Sequence, residues 1–489
     1  MNRKFLCVLF SLFVALNIFA ETFIVNGLNY EIISETDKTV KVVAQIVGAG
    51  NYSNLEKCEI PSSVNHNEMQ YSVTVIAFNA FNQAENLISV TIPATIVSME
   101  ENYGYYGESN AFHNTPKLRE IIVNQGNQHY VSKDGVLLNH AETFLIAYPA
   151  SKSDVIYSVP ETVEALGTYA FEGCLSLREI FLPSALKVMG YYAFYNCTAL
   201  EKLVCYAQVP PTKKVLPWQI GDEHHNATKV TLYTPFETMG EYQNAELWNG
   251  NVFPFKSRCS LAVLEETNAQ IKDKLESLDQ QTIDMVELRR SFAADGAWYT
   301  LCLPFDLSEK QIAESLGDCA LMQLEYADKC SEQLLYIHFA SASTITANTP
   351  YLFKPANSLT PPIFRGVAIK YQSDTKPTIT TPDKLVSMTG IYAPAQVPGD
   401  SWYLGPDNTL YQPQGNVISN GFRAYFTLPS SLNNTQGLRA RVVMDGETPT
   451  DINDIQIITA ENPQKVFENG RIFILRGGHK YNLQGQVVE

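Results

Sequence analysis

The chain has few basic residues and no second long apolar run, and each shortage excludes a class of function. Its 489 residues include 35 Lys and Arg against 51 Asp and Glu, a formal net charge of −16. Nucleic-acid binding needs a basic face, so this balance argues against a nucleic-acid partner. Beyond the first twenty residues no segment approaches about 18 uninterrupted apolar residues. The sequence therefore predicts no transmembrane segment after that point.

Catalytic motifs are also missing, since the chain has no G-x-S-x-G, HExxH, CxxC or phosphate loop. Three weaker candidates remain. Asp222-Glu223-His224-His225 is the densest group of metal-ligand types, but it lies in a polar stretch that favours a solvated turn. Asp451-x-Asn453-Asp454 has part of a calcium loop without its Gly and distal Glu. Cys302 and His338 could form a thiol–imidazole pair, but both lie in apolar strand patterns that favour packing. We predict no catalytic, metal or cofactor-binding residue, no cofactor and no enzyme activity; the ligand-binding residues stay unknown.

The first twenty residues have the features of a secretory signal peptide. A basic start, Met1-Asn2-Arg3-Lys4, precedes a mostly apolar run from Phe5 to Phe19, and Ala20 is the expected cleavage position. The cysteine of this segment, Cys7, lies inside the apolar run, so it is not a lipid-anchoring residue at the cleavage site. We expect an exported chain that is secreted or held at the cell surface or outer membrane.

An internal repeat occupies most of the first half. Ala-Phe dipeptides recur, and each Phe is followed six residues later by Leu-x-x-apolar-x-apolar. The dipeptides are Ala80-Phe81, Ala111-Phe112, Ala170-Phe171 and Ala193-Phe194, and Leu55 opens an earlier copy. From Phe171 to Phe194 the period is 23 residues. Alternating apolar residues predict a short strand with one buried face, and one such unit must stack on its neighbours to bury that face.

The repeat alignment also suggests how four of the eight cysteines after Cys7 are used. Cys58 and Cys205 occupy apolar strand positions, while Cys174 and Cys197 are equivalent positions one repeat apart. Buried free thiols are the favoured interpretation. A Cys174–Cys197 disulfide between stacked repeats is the alternative.

The unit VPxxVxxLGxxAFxxCxxLxxIxL, read from Val159 to Leu182, resembles the BspA-type leucine-rich repeat of Bacteroidota surface proteins. The segment from Tyr130 to Pro149 resembles the hairpin insert of that family, with Asp134-Gly135 as its turn. Val230 to Trp248 resembles the unit that ends such arrays. The resemblance covers about residues 24–256 and implies a curved, exported solenoid used for adhesion or ligand binding.

The second half has a different pattern. Apolar residues at 261, 264, 271, 275 and 278 predict an amphipathic linker helix, with self-association as the alternative to packing on a neighbouring domain. From about 285 to 445, five strand-like runs separated by turn residues predict a β-sandwich. One helix is expected there, because Ser308 and Gln311 form a capping box and Gly317 is placed to end it. The stretch from Val466 to Val488 resembles a short C-terminal hairpin tail.

We thus expect a leucine-rich repeat solenoid of α/β type, with short strands and irregular or short helical returns, followed by a mostly-β sandwich-like domain. The expected segments are the signal peptide 1–20, the repeat domain with its end cap 21–258, a helical linker 259–284, the sandwich-like domain 285–445, and a linker with hairpin tail 446–489.

Two functions follow from this organisation. The first is an adhesin-like surface protein whose repeat array recognises a protein or glycan on a host or neighbouring cell. The second is a carbohydrate-binding envelope protein that uses the second domain. Aromatic residues of that domain could stack on sugar rings, although a tyrosine-rich core would also need them. They are Trp298, Trp402, Tyr403, Tyr411 and Tyr425.

Overall fold

The computed structural model divides the chain into two compact units, Met1–Cys259 and Ser260–Glu489. It describes residues 21–45, 52–100, 111–213, 229–248, 255–331, 333–373, 375–405, 409–412, 417–435, 438–445, 464–468, 471–476 and 479–481.

The first unit begins with a sheet that precedes and joins the repeats. Its first nine strands are β1 (Thr22–Val25), β2 (Leu28–Ser34), β3 (Thr39–Val43), β4 (Lys57–Glu59), β5 (Ser63–His66), β6 (Met69–Ile76), β7 (Ser89–Ile92), β8 (Ser98–Met99) and β9 (Glu120–Val123). Strands β1-β2-β3-β6-β5 form one sheet with β8 beside β6, and β4-β7-β9 form a separate sheet of parallel strands. Each repeat therefore contributes a short strand to the parallel column.

The rest of the array continues in two parallel columns. The next ten strands are β10 (Tyr130–Lys133), β11 (Val136–Asn139), β12 (Phe144–Ala147), β13 (Ile156–Ser158), β14 (Ala165–Leu166), β15 (Glu179–Leu182), β16 (Val188–Met189), β17 (Lys202–Cys205), β18 (Thr212–Lys213) and β19 (Thr231–Pro235). One column is β12-β14-β16-β18 and the other is β13-β15-β17-β19. The register pairs Ile156 with Glu179 and Glu179 with Lys202, one 23-residue repeat apart each time.

The predicted hairpin insert is confirmed at its turn. Strands β10 and β11 pair antiparallel on either side of Asp134 and Gly135. Both turn residues have positive φ, 48° and 79°, which is the conformation of a two-residue I′ hairpin turn. The hairpin then pairs with β12, and β12 starts the parallel column. The insert is therefore built into the array.

Stacked phenylalanines form the centre of the repeat core. The Phe81 and Phe112 rings lie 5.3 Å apart, and the Phe171 and Phe194 rings lie 5.3 Å apart. The alanine before each Phe is buried as well, and so are the leucines six residues after each Phe. The small residue leaves room for the neighbouring backbone while the large ring fills the space between turns. The interior of the predicted repeat is confirmed.

A short helical segment covers the last repeat. After β19 come a 3-10 turn (Phe236–Thr238) and α1 (Met239–Asn244). Trp248 is 1% exposed and donates its indole N–H to the Pro211 carbonyl at 2.8 Å. The Tyr242 hydroxyl donates to the Ala207 carbonyl at 2.7 Å. These two hydrogen bonds connect the helical segment to residues that follow β17 in the sequence.

The second unit is mostly β-structure. Its first strands are β20 (Ser257–Glu265, which begins in the last residues of the first unit), β21 (Thr282–Arg289), β22 (Tyr299–Cys302), β23 (Cys319–Ser331), β24 (Leu334–Ser341), β25 (Pro350–Pro355) and β26 (Ile363–Ala368). They are followed by β27 (Thr378–Thr380), β28 (Ser387–Ile391), β29 (Ala395–Gln396), β30 (Ser401–Leu404), β31 (Thr409–Tyr411), β32 (Ile418–Ser419), β33 (Arg423–Thr427) and β34 (Arg439–Met444). The helices are α2 (Ile271–Leu278), α3 (Glu309–Leu316) and α4 (Ser430–Asn433).

The helix predicted over 261–278 is wrong in its first half. Leu261 and Leu264 lie on strand β20, which pairs in parallel with β21. A strand buried on both faces shows no alternation, so its apolar run can be mistaken for part of a helix. The helix itself begins at Ile271, and it buries Leu275 and Leu278 as the pattern predicted.

Most other predictions for local structure in this unit are confirmed, but the single helix expected over 285–445 is wrong, since α3 and the short α4 both lie there. All five strand-like runs contain strands, namely β22, β24, β25, β33 and β34. The capping box at α3 is present, with the Ser308 side chain accepting from the Gln311 backbone N–H. Gly317, with φ 63°, ends this helix.

Ten strands form one long sheet in the order β22-β25-β23-β24-β34-β31-β30-β33-β28-β27. A hydrogen bond between strands far apart in this order shows that the sheet curls. The Cys302 backbone N–H on β22 donates to the Phe422 carbonyl just before β33. A core that includes Ile337, Phe339, Phe426 and Val442 lies inside the curl. Near the C-terminus, β35 (Gln464–Glu468), β36 (Arg471–Arg476) and β37 (His479–Tyr481) form a small antiparallel sheet.

Candidate binding surfaces

The outward face of the β13-β15-β17-β19 column is a candidate binding surface. In β15 the side chains of Ile180 and Leu182 are buried, whereas those of Glu179 and Phe181 face outward. The register aligns the outward positions into two rows. One row is Ile156, Glu179, Lys202 and Thr231, and the other is Ser158, Phe181 and Tyr233, with the buried Val204 between Phe181 and Tyr233. The face therefore has a charged row beside an apolar and aromatic row.

A hollow of about 540 Å³ lies at the C-terminal end of this face. We call it the lysine hollow, and its lining residues are Glu179, Glu201, Lys202, Lys229, Thr231, Tyr233 and Lys256. Lys202 forms an ion pair with Glu179, and Arg178 pairs with Glu201 at 3.2 Å. Lys229 and Lys256 are exposed and form no ion pair within the described part of the chain. Two unneutralised cations thus lie beside Tyr233.

Exposed apolar side chains lie on the same array. Ile156, at the start of the charged row, is 57% exposed, and its neighbour Val155 is 50% exposed. Ile122, an outward position on β9, is 40% exposed. Apolar side chains next to charged ones are common at surfaces that bind other macromolecules.

The four array cysteines are buried free thiols, as predicted. Cys58, Cys174, Cys197 and Cys205 form no disulfide, and the Cys197 thiol lies 2.9 Å from the Phe171 carbonyl. Burial raises the pKa of Cys58 to about 12 and that of Cys205 to about 11. A thiol must lose its proton to act as a nucleophile, so Cys58 and Cys205 are inert at neutral pH.

A half-buried carboxyl, that of Glu172, lies on the loop edge of the array. Burial raises the pKa of Glu172 to about 7, although its carboxyl also accepts the backbone N–H of Asn114 at 2.8 Å. Nearby, the rings of His113, Tyr169 and Tyr192 stack at 4.9 and 5.1 Å from ring to ring. Glu172 is thus a titratable group within a packed edge.

The five aromatic residues that the sequence suggested for sugar binding differ in exposure. Trp402 and Tyr425 are each 6% exposed, and Trp402 donates its indole N–H to Asn433 at 2.7 Å. Trp298 is half-buried with the Lys354 ammonium 4.6 Å from its ring. Tyr403 is 41% exposed, and its ring lies 6.0 Å from that of Tyr411. Tyr403 and Tyr411 form an aromatic pair on one face.

Cys302 and His338, the two residues considered as a thiol–imidazole pair, contact different partners. The buried Cys302 thiol lies 3.8 Å from the Tyr392 hydroxyl, and burial raises its pKa to about 12. His338 stacks on Tyr326 at 4.2 Å. Within the described ranges, no three His, Cys, Asp or Glu side chains come together as metal ligands. The segments 222–225 and 451–454 lie outside the described residues.

The lysine hollow is absent from the sequence prediction, because that prediction rests on the buried positions of the repeat. Lys202 stands at a variable position of the pattern, and Lys229 and Lys256 lie outside the repeats altogether. The signal that could have found them is the opposite charge of Glu179 and Lys202, which are equivalent positions in adjacent repeats.

Comparison with known proteins identifies the repeats. Residues 51–133 and 153–217 match, in six copies, the family model of the BspA type leucine rich repeat region. These two stretches of the chain therefore contain leucine-rich repeats of BspA type, as the sequence predicted. No curated protein matches the chain. Among the described residues, no helix has the length and apolar character needed to cross a membrane.

Several solved structures are similar to parts of the chain. The pneumococcal vaccine antigen PcpA is 13% identical, and the match covers 46% of this chain and 96% of that one, with a TM-score of 0.22. A leucine-rich repeat protein from Bacteroides ovatus is 17% identical, covering 50% and 65%, with a TM-score of 0.26. The leucine-rich repeat protein of T. pallidum is 16% identical, covering 42% and 68%, with a TM-score of 0.20.

Proposed function

We propose that this chain is an exported, adhesin-like protein of the cell surface, whose repeat array binds a protein or glycan on a host or neighbouring cell. The observation that supports this proposal best is the lysine hollow at the end of the outward face of the β13-β15-β17-β19 column. Lys229, Lys256 and Tyr233 present two cations and an aromatic ring on a framework of paired strands. The paired strands fix the backbone positions of these groups before binding, so no backbone has to be ordered when a ligand binds.

Export, surface display and a Bacteroidota origin belong to the same proposal. They are supported by the basic and apolar segment over residues 1–19 and by the resemblance of the repeats. The five-segment organisation, with boundaries at 20, 258, 284 and 445, is proposed with them. So is a sandwich-like second domain, which the contacts between β22 and β33 across the curl support.

Binding of the chain 21–489 to immobilised fibronectin and collagen tests the adhesin proposal. We expect Lys229→Glu with Lys256→Glu to weaken binding about tenfold or more, since charged contacts each contribute about 1.5–3 kcal/mol. The matched control is Lys272→Glu with Lys310→Glu, which changes the net charge equally at exposed positions of the second unit. Equal weakening by both double variants would mean that only overall charge matters, and the hollow would have no specific role.

A second candidate function, carbohydrate binding through the second unit, is favoured by the Tyr403–Tyr411 pair. Aromatic rings with an exposed face and a polar hydroxyl suit contact with both the C–H and O–H groups of a sugar. A glycan array probed with the chain 21–489 and its Tyr403→Ala variant tests this alternative. If the two proteins give the same glycan profile, the alternative is wrong.

A further inference from the structure

One face of the ten-stranded sheet carries tyrosines and arginines on neighbouring strands. Alternate residues of a strand face opposite sides. On β24, Leu335 and Ile337 are in the core, so Tyr336 faces outward. On β34, Ala440 and Val442 are in the core, so Arg439 and Arg441 face outward.

The strand register brings these side chains together. Tyr336 pairs with Arg441 across β24 and β34. Leu410 pairs with Ala440, so the same register sets Tyr411 opposite Arg439, and Tyr403 pairs with Tyr411. On the other side of β24, the exposed ring of Tyr326 lies on β23. We call the six side chains the tyrosine–arginine face: Tyr326, Tyr336, Tyr403, Tyr411, Arg439 and Arg441.

The face is broad, and its two arginines outnumber its one carboxylate, Asp328. Five neighbouring strands, β23-β24-β34-β31-β30, span about 19 Å at about 4.8 Å per strand. Arg439 and Arg441 are exposed, about 7 Å apart along the strand, and neither forms an ion pair with a described residue. Asp328 stands opposite Tyr336 on the same face, 3.4 Å from the His338 ring, so the face carries one carboxylate besides its two arginines. In a chain of net charge −16, two unneutralised arginines among tyrosines form a local site for an anion.

The chemistry of these residues indicates the ligand. Guanidinium groups bind carboxylate and sulfate with two parallel hydrogen bonds. Tyrosine rings offer flat apolar surfaces with a hydroxyl at the edge. A ligand that uses both has flat, partly apolar units with anionic groups at intervals along a chain.

We propose that the tyrosine–arginine face binds an acidic polysaccharide, a polymer of uronic acid or sulfated sugars. Arg439 and Arg441 would hold the carboxylate or sulfate groups, while Tyr403, Tyr411 and Tyr336 lie against the sugar rings. This inference rests on the proposed carbohydrate-binding role of the second unit and names its substrate class. It is independent of the lysine hollow.

Affinity measurements with the chain 21–489 test the proposal, with polygalacturonate and heparin as acidic probes. Dextran is the neutral probe and poly-glutamate the anionic probe without sugars. We expect Arg439→Gln with Arg441→Gln to weaken binding of at least one acidic polysaccharide about tenfold or more. The control is Arg365→Gln, which removes one exposed arginine charge on β26 where the pair removes two; this variant should bind like the unaltered protein. Thermal unfolding of each variant checks that the fold is retained.

The tyrosines provide a second, independent readout. Tyr403→Ala with Tyr411→Ala should weaken binding, whereas the corresponding Phe variants, which keep both rings, should largely restore it. The proposal is overturned if no acidic polysaccharide binds, if poly-glutamate binds as tightly as polygalacturonate, or if Arg365→Gln has the same effect as the arginine pair. Loss of binding in the Lys229 and Lys256 variant alone would also overturn it, and would place the glycan site on the array. Binding of dextran as tight as that of the acidic probes would retain the carbohydrate-binding role but reject the acidic class.

Discussion

Gly190 lies directly against Gly167, its equivalent in the preceding repeat. A Cβ atom built on Gly190 would be 2.3 Å from the Gly167 carbonyl carbon and 2.4 Å from the Thr168 nitrogen. Each glycine directly follows one of the paired strands, Gly167 after β14 and Gly190 after β16, where the backbones of adjacent repeats are in contact. The spacing between these repeats therefore depends on a missing side chain.

Gly190→Ala should destabilise the array by about 2–3 kcal/mol, because the methyl group would collide with backbone that cannot move aside as a side chain could. Urea unfolding followed by circular dichroism measures the change. Gly240→Ala is the matched control, since nothing lies within 4 Å of a Cβ there. In helix α1 it should change stability by less than about 1 kcal/mol. Equal stability of the two variants would refute the close contact.

Glu172 should make the stability of the array depend on pH. Its pKa is about 7 in the folded chain and 4.5 ordinarily, so the folded state binds the proton more tightly. Its contribution to stability is therefore fully present below about pH 4.5 and is lost as the pH rises through 7, at about 1.4 kcal/mol per unit. Glu172→Gln should be the more stable form at pH 8, by about 2–3 kcal/mol. The difference in unfolding free energy between the two proteins, measured from pH 5 to 8, should change in this direction; a flat difference would contradict it.

Arg290 should be essential to the second unit. It donates to the Thr300 and Phe422 carbonyls at 2.9 and 2.8 Å, and it lies 3.6 Å from Glu266. Arg290→Met would remove both of these hydrogen bonds and the ion pair with Glu266, and it should cost about 3 kcal/mol or more. Urea unfolding followed by tryptophan fluorescence gives the measurement. The exposed Arg365→Gln should cost less than about 0.5 kcal/mol.

The cysteines should react in two groups. Cys330 is exposed, while Cys58, Cys174, Cys197 and Cys205 are buried. Iodoacetamide should therefore label Cys330 rapidly in the folded chain, and the four array cysteines only after unfolding. Mass spectrometry of peptides identifies each labelled site. Rapid labelling of Cys174 in the folded chain would contradict its place in the core.

The sequence predicts best those features that depend on buried side chains or on local turns. The Ala-Phe repeat, the Asp134-Gly135 turn and the Ser308 capping box were each recognisable from a few residues, since each has a local physical cause. Strand β20 was missed because Leu261 and Leu264 are buried against parallel neighbours, which removes the alternation that identifies a strand. The candidate surfaces were missed for a further reason. Outward positions have no pattern of their own, and only the register sets Tyr411 opposite Arg439 or Lys202 beside Glu179.

The constant register of the parallel columns has a consequence for how such a protein can vary. Ala165 pairs with Val188 and Glu179 with Lys202, so both columns advance by the same 23 residues. Removal or duplication of one whole unit leaves each remaining strand with an equivalent partner. Insertion or deletion of a few residues would instead shift the strand register of one column relative to the other. The array can therefore lengthen or shorten in whole repeats, and its outward surface can change in area while the core chemistry stays the same.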